Sequence, residues 1–189
     1  MTSELRKLLV LFPLLFASSQ AHADSYQDTI KVFREAGQSG HFFGNSYGYA
    51  VFPTIGKGGV GIGAAHGSGR VYANGNYVGD TKMTQLTVGL QFGGQAYSEM
   101  IFFEDKRAFD EFTGGNFEFG AQATAVAITA GASAQAGTTG AGAGASVGKS
   151  DSTTAGKYSK GMAVFTVAKG GLMYEATIGG QKFSYRPKK

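Results

Sequence analysis

The chain has 189 residues, 31 of them glycine and none cysteine, which excludes disulfide bonds, thiol catalysis and cysteine metal ligands. Its formal net charge of +4 is small and its basic residues are scattered. Nucleic-acid binding usually needs a dense basic face, so we expect no nucleic-acid partner, whereas a small positive charge suits weak attraction to anionic lipid.

Residues 1–23 have the layout of a cleavable secretory signal. Arg6 and Lys7 precede the apolar run 8–16, and small residues lead to Ala23. The run is too short to span a bilayer, which takes about 20 apolar residues. We therefore expect a mature domain, 24–189, that is periplasmic or secreted and lacks the lipid anchor that a cysteine at the cleavage site would carry.

Apolar residues recur every three or four positions over 25–38, including Ile30 and Phe33, while Lys31 and Arg34 occupy the other side. This spacing predicts an amphipathic helix that ends at the following glycines. An isolated helix of this length is only marginally stable, so it must dock on an apolar partner. The partner is the domain's own sheet or, alternatively, a lipid surface, with Lys31 and Arg34 facing the headgroups.

From Ser46 onwards apolar residues alternate with polar or small ones, a period typical of strands. Glycine-rich pairs and triplets interrupt this pattern, and we interpret them as the turns of successive antiparallel hairpins. The predicted turns are 56–59, 74–75, 93–94 and 169–171.

Two further segments complete the predicted elements. Asp105 is expected to cap a short helix, 106–112, whose phenylalanines belong to the core. The Ala- and Gly-rich stretch 121–134 alternates between two sets of small residues, which favours a long strand over a linker. We expect a return strand after 138–140, and disorder in much of 137–154.

The segment 50–59 has an echo at 163–171, because an Ala-Val-Phe triplet leads to Lys-Gly-Gly in both. If the two hairpins were equivalent in the sheet, Lys57 and Lys169 would lie at matching ends. They would then form a small cationic rim; the alternative is a coincidence of common residues.

The glycines after Lys57 resemble the start of a phosphate-binding loop. Such a loop continues with Lys and Ser or Thr and opens a helix, whereas this chain has Ile62 and Gly63 there and the pattern continues as a strand. We therefore expect no nucleotide and no nucleotide-derived cofactor.

Catalytic residues are equally sparse. His41 and His66 have no carboxylate or second histidine at ligand spacing, so we expect neither metal nor imidazole catalysis. Four carboxylates could supply a pair of the glycosidase type, and we interpret them instead as surface residues beside Lys106 and Arg107. These carboxylates are Glu99, Glu104, Asp105 and Glu118.

An ordered succession of motifs resembles the SYLF domain, a lipid-binding family. The motifs are 47–63, 91–95, 109–115, 116–121 and 169–172. The resemblance covers about 30–185, and the order of the motifs is more specific than any one of them. Eukaryotic relatives bind phosphoinositide membranes and, in fungi, actin; this chain is similar to the single-domain bacterial branch.

The resemblance implies a lipid-binding site rather than a catalytic one. Membrane binding in the family is linked to a basic amphipathic segment at the start of the domain, which corresponds here to Lys31 and Arg34. We take these two as the first lipid-binding residues and Lys57 and Lys169 as the second pair. An exported protein meets neither actin nor, ordinarily, phosphoinositides, so the expected partner is an anionic phospholipid surface.

The sequence therefore predicts an α+β domain: a twisted antiparallel sheet or partly closed barrel of hairpins, with an N-terminal helix and one short helix. Its expected function is non-enzymatic membrane association. One alternative is an exported scaffold that self-associates weakly or binds an envelope partner through the Ala/Gly hairpin formed by the strand 121–134 and its return strand. Another is an outer-membrane barrel, which the small, polar character of 121–134 and the final Lys188 and Lys189 disfavour.

Overall fold

The structure is a computed structural model that describes residues 17–128, 157–169 and 178–189, with side chains throughout except at 17–24, 60–61 and 87–93. The helices are α1 (Ala17–Glu35), α2 (Phe42–Asn45) and α3 (Lys106–Thr113). The strands are β1 (Gly48–Ala73), β2 (Asn76–Phe103), β3 (Phe117–Glu118), β4 (Val126–Ile128), β5 (Met162–Lys169) and β6 (Lys182–Pro187). Strands predominate and form a curled half-barrel, which confirms the α+β class.

β2 is the central strand of the sheet. β1 pairs antiparallel with it along one edge, while β5 and β6 pair with the two ends of its other edge. β3 extends the sheet beyond β6, and β4 lies parallel to β5. The long β1–β2 hairpin therefore carries the rest of the sheet.

The turn of this hairpin is Asn74-Gly75, as predicted. Both residues have positive φ, 49° and 79°, as a two-residue hairpin turn of type I′ requires. Asparagine and glycine are the residues that reach this region most easily, so the local sequence is sufficient to specify the turn.

Two other predicted turns are wrong. Residues 56–59 and 93–94 lie inside β1 and β2, where Gly58 pairs with Gly94 and Gly59 with Gly93. Because the glycines face one another across the ladder, the backbone pairing continues through them. An irregularity in the register between Phe52 and Ile55 accommodates Pro53, which has no N–H to donate.

Successive strand residues point to opposite faces, so the sheet has two cores. We call them the α1 face and the α3 face, after the helix that covers each. The α1 face buries Tyr26, Ile30, Phe33, Phe42, Phe102 and Phe165. The α3 face buries Phe52, Ile101, Phe103, Phe112 and Phe183. The amphipathic helix thus docks on the domain's own sheet, the first of its two predicted partners.

α1 begins and ends earlier than the predicted helix 25–38. After its end the Gly40 N–H donates to Ala36 O at 2.8 Å. A Cβ at Gly40 would lie 2.5 Å from Arg34 O, so only glycine fits this close approach. The expected cleavage point after Ala23 lies within α1, and it precedes Tyr26, Ile30 and Phe33, which α1 buries.

α3 confirms the predicted short helix. The Asp105 carboxylate accepts a hydrogen bond from the Ala108 N–H at 2.8 Å, which is the expected N-cap. Of the predicted strand 121–134, the described part forms β4 only at Val126–Ile128, after a turn at 121–122. Residues 129–134, the return strand, 137–154 and the predicted turn glycines Gly170 and Gly171 lie outside the described residues.

Candidate functional site

The exposed side of α1 carries the two basic residues expected to bind lipid. The Lys31 side chain is 73% exposed and lies 3.9 Å from the Glu35 carboxylate, a distance typical of a loose surface pair. The Arg34 guanidinium lies 4.9 Å from the ring centroid of Phe43, which holds it by a cation–π contact. Both charges point away from the sheet because the opposite side of α1 is buried in the core.

A row of aromatic rings continues from Phe43 across the α1 face. The Phe43 and Tyr49 centroids are 5.2 Å apart, Tyr49 stacks on Tyr72 at 5.0 Å, and Tyr72 lies 5.9 Å from Tyr77. Tyrosines combine an apolar ring with a polar hydroxyl and are common where a protein meets a membrane interface.

Arg70 adds a basic group to this row that sequence reasoning missed. Its guanidinium carbon lies 4.3 Å from the ring centroid of Tyr26 and 5.2 Å from that of Tyr77, while Lys188 Nζ approaches Tyr77 to 5.2 Å. The signal was available, because Arg70 precedes Tyr72 by two residues and shares its face. We call Phe43, Tyr49, Tyr72, Tyr77, Arg70 and Lys188 the aromatic-basic row.

One acidic residue lies in the row. The Tyr77 hydroxyl donates to Asp80 Oδ1 at 2.8 Å. Burial and this hydrogen bond raise the pKa of Tyr77 to about 12, so the tyrosine stays neutral and keeps its proton over the physiological range. The hydrogen bond fixes the ring on which Arg70 and Lys188 stack.

Lys57 and Lys169 lie on the two strands that flank β2, but not in equivalent positions. Lys57 pairs with Gln95 and Lys169 with Ala96, and neighbouring residues of a strand face opposite ways. Lys57 is therefore on the α3 face and Lys169 on the α1 face, so they do not form one cationic rim. Lys169 Nζ also donates to Thr54 Oγ1 at 2.9 Å.

Glu99 corrects the interpretation of the four carboxylates as surface residues. Its side chain is fully buried on the α3 face, where Gln181 Nε2 donates to Glu99 Oε2 at 2.9 Å and contacts the Tyr97 hydroxyl at 3.3 Å. Thr166 lies directly opposite Glu99 on β5. Within the described residues, Glu99 Oε1, Gln181 Oε1 and Thr166 Oγ1 have no hydrogen-bond partner.

Burial raises the pKa of Glu99 to about 7, and the hydrogen bond from Gln181 opposes this shift only in part. A protonated Glu99 carries no charge, which removes the cost of burying a carboxylate in the core. The signal for burial was the alternation of Tyr97, Glu99, Ile101 and Phe103, which places the carboxyl on an otherwise apolar face.

The other three carboxylates lie at the surface, and two of them have structural roles. Asp105 caps α3, and Glu118 lies 3.5 Å from Lys182. Glu104 is exposed. Within the described ranges, no three His, Asp or Glu side chains are grouped as metal ligands. No helix in the same part of the chain has the length and apolar character needed to cross a bilayer.

Residues 84–189, more than half of the chain, match the family Ysc84, described as "Las17-binding protein actin regulator". The chain belongs to this family, the SYLF family. SYLF domains are binding and regulatory domains, and the family is associated with lipid binding. The matched region includes Lys169 and the buried Glu99, while Lys31, Arg34, Lys57 and Arg70 precede it.

A curated relative is beta cell expansion factor A of Aeromonas veronii, which is 30% identical over 156 residues. The aligned region covers 82% of this chain and 51% of the relative. The chain thus spans about half the length of this SYLF protein.

Proposed function

We propose that this chain is a non-enzymatic module of the bacterial cell envelope that attaches reversibly to anionic phospholipid. The observation that carries the proposal is the orientation of α1. Its apolar side is buried against the sheet, and its exposed side presents Lys31 and Arg34 next to the aromatic-basic row. Membership of a lipid-associated family supports the same function.

The attachment is electrostatic at α1, because Tyr26, Ile30 and Phe33 of this helix are buried in the core and Val32 is only partly exposed, at 41%. Each basic side chain near an anionic surface contributes about 1 kcal/mol. Lys31, Arg34 and Arg70 together give an attraction that is useful yet reversible, and salt screens it. Lys169, on the same face, is a secondary contact because it must first leave Thr54, and Lys57 on the α3 face takes no part in the same contact.

The proposed envelope location is supported by the signal-like residues 1–23. The proposed lack of catalysis is supported by the state of three of the four carboxylates, which are engaged in other contacts or buried. Asp105 and Glu118 are engaged in a helix cap and an ion pair. Glu99 is enclosed by the core, so it is not offered to a substrate. A binding function is consistent with these observations, because it requires no reactive side chain.

Sedimentation with lipid vesicles tests the proposal. The domain 24–189 is expected to sediment with vesicles that contain phosphatidylglycerol or cardiolipin, to remain in solution with neutral phosphatidylcholine vesicles, and to lose most of its binding at high salt. Equal binding to neutral and anionic vesicles, or no binding to either, would contradict it.

Charge reversal locates the contact. The double variant Lys31→Glu, Arg34→Glu is expected to bind anionic vesicles at least about tenfold more weakly, since it removes two attractions and adds two repulsions. The matched control is Lys106→Glu, Arg107→Glu, which makes the same charge change on α3, where both side chains are exposed. Equal losses in the two variants would show that only net charge matters.

A further inference from the structure

Two large apolar side chains of the β1–β2 hairpin are exposed on the α1 face. Leu86 is 78% exposed and Ile62 is 69% exposed, the highest values among the large apolar side chains that the structure describes. Burial of a leucine or isoleucine side chain stabilises a folded protein, so leaving two of them in water forgoes a stabilisation that the rest of the sheet obtains.

The register brings these two side chains together. Ile62 pairs with Val88 and Leu86 with Ala64, so Ile62 and Leu86 are diagonal neighbours on one face of the ladder. Diagonal neighbours lie about 7–8 Å apart at Cα, within reach of side chains of this size. They form one apolar pair.

Basic residues follow the apolar pair along the same face of the hairpin. Moving towards the turn, the exposed Lys82 lies opposite Ser68, and Arg70 of the aromatic-basic row lies opposite Asp80. α1 covers part of this face, and its Tyr26 ring packs against Arg70. Lys31 and Arg34, which belong to the same helix, therefore lie on the same side of the sheet. Apolar and basic groups are thus arranged side by side on one surface.

We propose that Ile62 and Leu86 insert into the boundary between headgroups and acyl chains of a phospholipid bilayer, while Arg70, Lys82, Lys31 and Arg34 contact the anionic headgroups. The inference rests on the proposed function and names the apolar part of that contact. The size of the pair favours a bilayer over a protein partner: two side chains fall far short of the roughly 800 Å² per partner that a specific protein interface buries.

The two parts of the contact respond differently to salt. Headgroup attraction weakens as salt rises, whereas insertion of apolar side chains does not depend on screening. The double variant Ile62→Ser, Leu86→Ser is therefore expected to lower the vesicle partition coefficient at least about tenfold at every salt concentration. Its salt dependence should run parallel to that of the wild type, whereas Lys31→Glu, Arg34→Glu should flatten it.

The exchange Ile62→Leu, Leu86→Ile is the matched control, because it keeps the apolar volume and should keep binding. Depth is measured directly with an environment-sensitive fluorophore, since the chain has no cysteine of its own. The label at Leu86→Cys should shift to the blue when anionic vesicles are added, while the label at Glu111→Cys, exposed on α3, should not.

Each outcome is decisive. If the wild type binds vesicles and the serine variant binds equally well, or if the Leu86 label does not shift, the insertion is overturned while the proposed function stands. If the wild type binds no vesicle, both fail. If the wild type is a dimer in solution and the serine variant is a monomer with unchanged vesicle binding, the apolar pair is a contact between copies, and the insertion is again overturned.

Discussion

The two faces of the curled sheet are covered to different extents. On the α3 face, aromatic residues around Phe112 close over the strands and enclose even the polar Glu99 and Gln181. On the α1 face, α1 covers one part of the β1–β2 hairpin and leaves Ile62 and Leu86 exposed. The same two strands therefore contribute to a closed core on the α3 face, and on the α1 face to a core with an exposed surface beside it.

The largest expected effect on stability comes from shortening one apolar side chain on each face to alanine and comparing the two variants. Phe112→Ala removes a ring that lies 4.9 Å from Phe103 and 5.1 Å from Phe183 by centroid. A buried Phe→Ala change typically lowers the free energy of unfolding by about 3–5 kcal/mol. Leu86→Ala, at an exposed position, should change it by less than about 0.5 kcal/mol. Urea denaturation measures both, and similar losses would remove the distinction between the faces.

Glu99→Gln tests whether the closed face holds a proton. The carboxyl has a pKa of about 7 in the folded protein and an ordinary value of about 4.3 when unfolded, so the folded state binds more protons between these values. The free energy of unfolding should therefore fall as pH rises from about 4 to about 7, by about 3–4 kcal/mol, and level off above.

The glutamine variant should lose this slope and be more stable than the wild type at about pH 8. Denaturation curves at several pH values measure the effect. Glu118→Gln is the matched control, because its carboxylate is exposed beside Lys182 and should leave the slope in place. A slope that persists in Glu99→Gln would mean that other groups cause it.

The smallest expected effect concerns the helix that closes the α3 face. Asp105→Ala removes the acceptor of the Ala108 N–H and should lower the free energy of unfolding by about 1 kcal/mol. Asp105→Asn keeps a side-chain oxygen and should restore most of the loss. If alanine and asparagine behaved alike, the cap would not contribute to the stability of this face.

Features set by neighbouring residues were predictable from the sequence. Asn74-Gly75 specifies its own turn through positive φ, and Asp105 specifies the start of α3. The spacing of Ile30 and Phe33 predicted which side of α1 is buried. The opposite, exposed side is the one that carries Lys31 and Arg34. Each of these signals lies within a few residues of the structure that it specifies.

Features set by residues far apart in the chain were not predictable from the sequence. Gly58 and Gly59 lie within β1 because Gly94 and Gly93 of β2 pair with them, and a glycine pair read alone favours a turn. Glu99 is buried because Gln181 returns against it from far along the chain. The offset of Lys57 and Lys169 depends on which residues of β2 they pair with, and the echo in the sequence does not contain that register.

The central position of β2 also has a consequence for how the chain assembles. β1 reaches β2 through a two-residue turn, so this pairing closes a minimal loop and has little entropy to overcome. β5 and β6 follow β2 by many residues, so their pairing with it closes longer loops at a greater cost in entropy. We expect the hairpin to be the folding nucleus and the C-terminal strands to join last.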